Sequence, residues 1–201
     1  MAEEIRCPKL VLVEGADDKS FFEALCQHLG LNDIQFREIG GKDNLPKALE
    51  ATVKESSFSE VVIALGIVLD ADDDPKATFQ SVCSALKKFG LPVPTQPMTP
   101  APGRPRVLVM ILPDNQSPGA LEDVCLRAIA RTPAMKCVEK FFCCLRRQGL
   151  SLPKSLSKAK VLAYLTSMPE PDKGFRWSAQ AGYWNWDHPA FSDLKDFLRS
   201  L

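Results

Sequence analysis

Four apolar residues, Leu10-Val11-Leu12-Val13, run straight into Glu14-Gly15-Ala16-Asp17-Asp18 and then into an amphipathic segment, Phe21–Leu29. A continuous apolar run bounded by glycine predicts a strand buried on both faces, as in a parallel sheet. A helix opening at Ala16 or Asp17 carries its acids in the first turn, where the helix dipole favours them. Glu14 is therefore expected at the carboxyl end of a parallel strand, the edge where open α/β sheets place their chemistry.

This stretch has a counterpart. Val61–Pro75 reads VVIALGIVLDADDDP, an apolar run broken once by Gly66 and ending in Asp70-Ala71-Asp72-Asp73-Asp74. Two buried strands that both end in acids bring Glu14, Asp70 and Asp72 to one edge of the sheet. Clustered carboxylates repel strongly unless a cation neutralises them. All-oxygen ligands suit Mg²⁺ or Mn²⁺ better than zinc. The plainer alternative is that the acids only cap helices, and a Glu and a DxD both ending buried strands argue against it. With His28 and His188 the only histidines, a His-rich metal site or a His-based triad is not expected.

Between the two runs, Ile34–Ile39 alternates as a second strand and ends in Gly40-Gly41-Lys42-Asp43-Asn44, followed by a helical pattern from Leu45 to about Ser56. The Gly-Gly-Lys turn can offer backbone amides and an ammonium to a phosphate, or be a simple strand-to-helix turn. It is not a P-loop, because Phe36 stands where that motif needs glycine and Asp43 where it needs Ser or Thr. Pro75 opens a helix to about Phe89. Residues 91–106 hold six prolines and are expected as a long exposed loop.

Val107–Leu112 reads as a fourth strand ending in Pro113-Asp114-Asn115, and Leu121-Glu122-Asp123 opens the next helix. Asp114 and Glu122 are thus expected near the same edge, as ligands of a second cation or as orienters of its waters. A first-turn Glu such as Glu122 is also explained by the helix dipole.

Helical patterns follow at Ala134–Arg147, with Met135, Val138, Phe141, Phe142 and Leu145 to one side, and at Leu156–Ser167, whose face bearing Lys158, Lys160 and Tyr164 either approaches the site or faces water. Phe175, Trp177, Tyr183, Trp184 and Trp186 are expected as local core under a last helix, Ala190–Leu201; stacking on nucleobases is the other reading. The expected architecture is a Rossmann-like α/β domain over residues 1–132, with a mostly parallel four-stranded central sheet flanked by helices. A helical carboxyl-terminal extension, 133–201, packs on it.

No apolar run approaches a membrane span, and the start MAEEIRCPK lacks a signal-peptide pattern. The seven cysteines include no CxxC. Cys83, Cys125, Cys137 and Cys143 sit in apolar periodic segments and are expected as buried thiols, so a cytoplasmic location is expected. The formal net charge is zero but uneven. Residues 1–75 carry sixteen acids against seven bases, and residues 131–160 carry eight bases against Glu139 alone. A basic second half facing an acidic metal site suits a phosphodiester ligand, although solvated helix faces also explain such runs.

On these residues the chain resembles a Toprim domain, the Mg²⁺-binding fold of topoisomerases, primases and OLD-family nucleases. Glu14 after the first strand and Asp70-Ala71-Asp72 after a later strand match its signature. Gly40-Gly41-Lys42, Pro113-Asp114, Gly119–Asp123, Lys158–Leu165 and Gly182–Trp186 resemble a subgroup of small, stand-alone, mostly prokaryotic Toprim-like proteins.

The resemblance implies Mg- or Mn-dependent phosphodiester hydrolysis on DNA or RNA. Glu14, Asp70 and Asp72 are the expected metal and catalytic carboxylates, and Lys42, with Lys19 or Lys160 behind it, offsets charge on the phosphate. Asp74, Asp114 and Glu122 are the expected ligands of any second cation. The alternative is a module that binds nucleic acid or a nucleotide with Mg²⁺ and does not cleave it. A haloacid-dehalogenase reading fails because its DxD follows the first strand. A phosphoreceiver reading lacks the later Ser/Thr and Lys.

Overall fold

The computed structural model describes residues 4–201; the first three residues of the amino-terminal stretch lie outside them. Four strands, β1 (Lys9–Val13), β2 (Ile34–Glu38), β3 (Ala64–Asp70) and β4 (Arg106–Leu112), pair in the order β2-β1-β3-β4. Every pairing is parallel, with Val11 opposite both Phe36 and Gly66, and Val68 opposite Met110. This is the α/β architecture that the apolar runs predict. The chain leaves β1 towards one side and returns to β3 on the other, which makes the β1–β3 crevice the switch point where such sheets bind ligands.

Nine helices occur among the described residues: α1 (Ala16–Leu29), α2 (Leu45–Lys54), α3 (Ser56–Val61), α4 (Pro75–Lys88), α5 (Leu121–Ile129), α6 (Pro133–Arg147), α7 (Leu156–Leu165), α8 (Gly174–Ser178) and α9 (Ser192–Ser200). Side chains alternate across the sheet. Leu10, Leu12, Leu65, Ile67, Val109 and Ile111 face α2, α3 and α4. Val11, Val13, Val68, Leu108 and Met110 face α1 and the whole run α5–α9.

Phe21 of α1 is the hub of the second layer. It is fully buried, and its ring lies 5.1 Å from Trp186, 5.9 Å from Phe175 and Phe191, and 6.1 Å from Trp184. Phe175, Trp184 and Trp186 are thus core, as expected. Trp177 is not: half its surface is exposed, with the Arg176 guanidinium 5.6 Å from the ring centre.

Gly66 lets α9 reach the centre of the sheet. A Cβ there would stand 3.0 Å from Phe197 and Val11 and 3.2 Å from Leu201, all buried. Gly66→Ala is expected to lower stability by about 1–2 kcal/mol through overpacking, measured by urea unfolding. An unchanged midpoint would mean that α9 yields at no cost.

Four local expectations are corrected. Val61 ends α3 rather than opening a strand, because Glu55 turns extended and Phe58 docks in the core, so β3 begins only at Ala64. The proline-rich loop is not wholly outside the sheet. Ala101, between two prolines, exchanges N–H···O bonds with Val107 at 2.8 and 3.1 Å and covers the free edge of β4, where an unpaired strand would otherwise invite association. Cys137 and Cys143 are exposed, Cys83 is partly so, and only Cys125 of the four is buried. Phe141 is 53 % exposed, because the packed seam of α6 is confined to Met135, Val138 and Phe142.

Candidate metal centre at the carboxyl edge of the sheet

Glu14 follows the last residue of β1. Its carbonyl accepts the N–H groups of Gly40 and Gly41, each at 3.0 Å, which ties the turn after β2 to the turn after β1. Both glycines have positive φ, 74° and 105°, a region open to glycine at no steric cost. Glu14 Oε2 accepts the Asp70 N–H at 3.4 Å, and Asp70 Oδ1 accepts the N–H of Leu121 at 3.1 Å. The ends of β1 and β3 and the start of α5 are joined through these two carboxylates.

α1 and α5 open alike at this edge. Each has an extended N-cap residue, Gly15 or Ala120, followed by acids at the second and third helical positions. The third-position acids cap their own helices: Asp18 accepts the Gly15 N–H at 2.8 Å, and Asp123 accepts the Ala120 N–H at 2.9 Å. The second-position acids, Asp17 and Glu122, flank Lys158 of α7, whose Nζ lies 3.9 Å from each. Ser157 donates to Asp123 at 2.5 Å and fixes the start of α7 against α5. Glu14, Asp17, Asp18, Asp70, Glu122 and Lys158 line one cleft of about 400 Å³, floored by Gly15, Gly40, Gly41 and Leu121 and walled by Phe175.

So many carboxylates around one ammonium cannot all ionise cheaply. Burial, then the charges of Asp18, Glu14 and Glu122, push Asp70 up to about 9. Burial pushes Asp18 up to about 7, against its bond from Gly15 and helped by Glu14, Glu122 and Asp17. Glu14 is also raised, chiefly by burial and further by the charge of Asp72, with the Asp70 N–H and Lys42 pulling the other way. Neighbouring acids that raise one another mark an edge short of positive charge.

Of the residues singled out from the sequence, Glu14, Asp70 and Glu122 meet in the cleft. Asp72 does not line it. It takes a left-handed conformation (φ 51°), exchanges backbone hydrogen bonds with Gly119, and pairs through its carboxylate with Lys42 at the rim. Burial opposes the charge of Lys42, but the hydrogen bond and charge of Asp72 outweigh it and raise its pKa. Asp74 caps α4, accepting the Ala77 N–H at 2.9 Å.

Asp114 is drawn away by Arg127, 2.7 Å distant, and by the Ser117 and Gln116 N–H groups. Against the upward push of burial, these hold it down to about 2. Lys19 pairs with Glu23 at 3.8 Å and Lys160 with Glu139 at 2.7 Å, so the cation in the cleft is Lys158. Asp17 and Asp18 are not among the site residues expected from the sequence, and of the helix face bearing Lys158, Lys160 and Tyr164 it is Lys158 that lines the cleft.

Among the described residues no three His, Cys, Asp or Glu side chains form a ready-made cation cage. The donor set nevertheless fits Mg²⁺ or Mn²⁺. Mg²⁺ uses one or two carboxylates and completes its shell with water and substrate phosphate, and the crowded acids at this edge lack a compensating charge.

The chain matches, over residues 8–201, the family model described as a protein of unknown function, DUF3226. None of the curated proteins matches it. Among solved structures it is similar to the C-terminal region of the Burkholderia pseudomallei OLD protein, with a TM-score of 0.54 and 12% identity over 97% of each chain. It is also similar to the C-terminal region of the Xanthomonas campestris pv. campestris OLD protein phased with platinum, with a TM-score of 0.50 and 13% identity over 96% of this chain and 93% of that one. At such identities the likeness is one of fold.

Proposed function

This chain belongs to the DUF3226 family, and we propose that it is a Toprim-like, Mg²⁺- or Mn²⁺-dependent phosphodiesterase acting on nucleic acid. The observation that carries this reading is the cleft itself. Two buried strands, β1 and β3, and two helices, α1 and α5, bring acids into one cleft, and burial together with the charges of Asp18, Glu14 and Glu122 pushes Asp70 up to about 9.

Asp70, with Glu14 or Glu122, would hold the cation. Bound there, it would polarise the phosphate and ease ionisation of a water nucleophile. Asp18, lining the cleft with its carboxylate held by the Gly15 N–H, is placed to take a proton. Lys158 supplies positive charge to the phosphate inside the cleft, and Lys42 does so at the rim.

The test is cleavage of supercoiled plasmid and of labelled single-stranded DNA and RNA with millimolar Mn²⁺. Asp70→Asn and Glu14→Gln are each expected to reduce cleavage by at least about 10²-fold, and Lys158→Ala by about 10²-fold. Cleavage that survives Asp70→Asn would sink the proposal. The Lys42–Asp72 pair favours a second reading, in which the edge binds nucleic acid or a nucleotide without cutting it. Binding that persists in Glu14→Gln, with no cleavage by the parent protein, would select that reading.

A further inference from the structure

We infer that the outward side of α6 is a binding surface for a nucleic-acid phosphate backbone and leads towards the cleft. The inference rests on the nucleic-acid reading above. Met135, Val138 and Phe142 pack α6 onto the core. Lys136, Lys140 and Arg147, at i, i+4 and i+11, lie along the opposite side, all exposed, over about 16 Å of helix. Arg131 and Lys154 flank the helix in sequence and Arg146 follows Phe142 by one turn, all three exposed. Among the described residues, none of these six cations forms an ion pair. The one acid on α6, Glu139, is engaged by Lys160 of α7 at 2.7 Å.

Helix electrostatics do not explain the stripe. Arg146 and Arg147 stand in the last turn, where a cation is favoured. Lys136 and Lys140 stand in the first half of a helix that has no acid in its first turn, where the dipole opposes them. Like charges one turn apart repel as well. Unpaired cations held against both effects suit a polyanion that neutralises them.

The stripe is also connected to the candidate site. From Arg147 the chain runs through residues 148–155, past Lys154, to Ser155, which caps α7, and the first turn of α7 places Lys158 in the cleft. Lys160 of α7 pairs with Glu139 of α6 at 2.7 Å, so the helix that carries the stripe lies against the helix that carries Lys158.

The test measures fluorescence anisotropy of labelled DNA of about 30 nucleotides, single-stranded and duplex, in chelator and over a range of salt. The wild-type chain is compared with K136E/K140E/R147E and the milder K136Q/K140Q/R147Q. Both variants are expected to keep the wild-type circular dichroism. The charge-reversed variant is expected to bind at least about tenfold more weakly, with the slope of log K against log salt reduced by about 2.

Equal binding by wild type and variants overturns the inference and leaves the cleft's reading standing. A wild type that binds neither DNA overturns it too; Mn²⁺ titration of the cleft then decides separately whether the metal reading survives. Self-association centred on Phe141 that the variants abolish, with DNA binding unchanged, assigns the face to a second copy and equally overturns it.

Discussion

In the presence of a chelator, the melting temperature of this protein is expected to fall as pH rises from about 4 to about 9, and added Mg²⁺ or Mn²⁺ to remove most of that fall. Asp70 and Asp18 have folded-state values of about 9 and about 7, against 3.8 for the free side chain. Between those limits the folded chain holds more protons than the unfolded one, so stability decreases with pH. The contribution is fully present below about 4. It is lost as pH rises through about 7 for Asp18 and about 9 for Asp70.

Asp114 runs the other way. Held down to about 2, it stabilises above about 4 and loses that contribution as pH falls. The cation-free maximum is therefore expected near pH 4–5. Relaxation and entering water relieve part of the crowding, so the alkaline loss is expected to total about 2–4 kcal/mol, or roughly 5–15 °C at this chain length.

A cation that binds only the folded chain contributes RT ln(1 + [L]/Kd), about 2.7 kcal/mol at a hundredfold excess over Kd, and does so where the acids are ionised. Asp70→Asn keeps the acceptor for the Leu121 N–H. It is expected to flatten the pH profile, raise the melting temperature in chelator at pH 8, and lose the shift with Mn²⁺. A profile that is level from about 5 to 9, or the same in Asp70→Asn, would mean that these carboxylates do not crowd one another and have no need of a cation.

The sequence makes the sheet and half of this cluster legible, for a shared reason. β1 and β3 are buried on both faces, so no charge interrupts their runs and their ends are marked by the first acid, Glu14 or Asp70. Acids beyond those ends depend on backbone turns that composition does not encode. Asp72 turns through a left-handed residue to pair with Lys42 beside Glu14, and Asp114 is drawn to an arginine nearly two turns along α5. Asp74 followed by Pro75 has the form of a helix cap, and a cap is what it makes.

Asp18 looked like one more first-turn acid, and its proximity to Asp70 arises only when β1 and β3 lie side by side. Lys158 and Lys160 could not be told apart by pattern. Which of them enters the cleft is set by how α7 docks on α5, through Ser157 and Asp123. The exposed cysteines of α6 have a similar origin, because a helix with one narrow packed seam leaves most of its apolar residues outside.

Removing residues 133–201 is expected to abolish cooperative folding, although residues 1–132 hold all four strands. The layer on the α1 side of the sheet is built across that boundary. Phe197 and Leu201 seat on Gly66 at the sheet centre, and Phe175, Trp184, Trp186 and Phe191 enclose Phe21. Without them Val11, Phe21, Phe22, Leu108 and Met110 would face water over a large contiguous area. Burying each such side chain contributes about 1.5–3 kcal/mol, and several lost together exceed the roughly 5–15 kcal/mol by which a domain is stable.

The 1–132 fragment is thus expected to lack a sharp thermal transition and dispersed amide resonances. Phe21→Ala in the full chain is expected to cost about 3–5 kcal/mol, read as a lower urea midpoint in a single transition. A fragment that melts sharply, or a Phe21→Ala chain that unfolds in two steps, would show two independent units. The distinction reaches the chemistry, because Lys158 belongs to the second segment while Glu14, Asp18, Asp70 and Glu122 belong to the first. If the chain folds as one unit, the lysine lining the cleft is held at 3.9 Å from Asp17 and Glu122 by the same aromatic core that holds α1 on the sheet. Loosening Phe21 should then weaken Mn²⁺ and phosphate binding without touching a residue of the cleft.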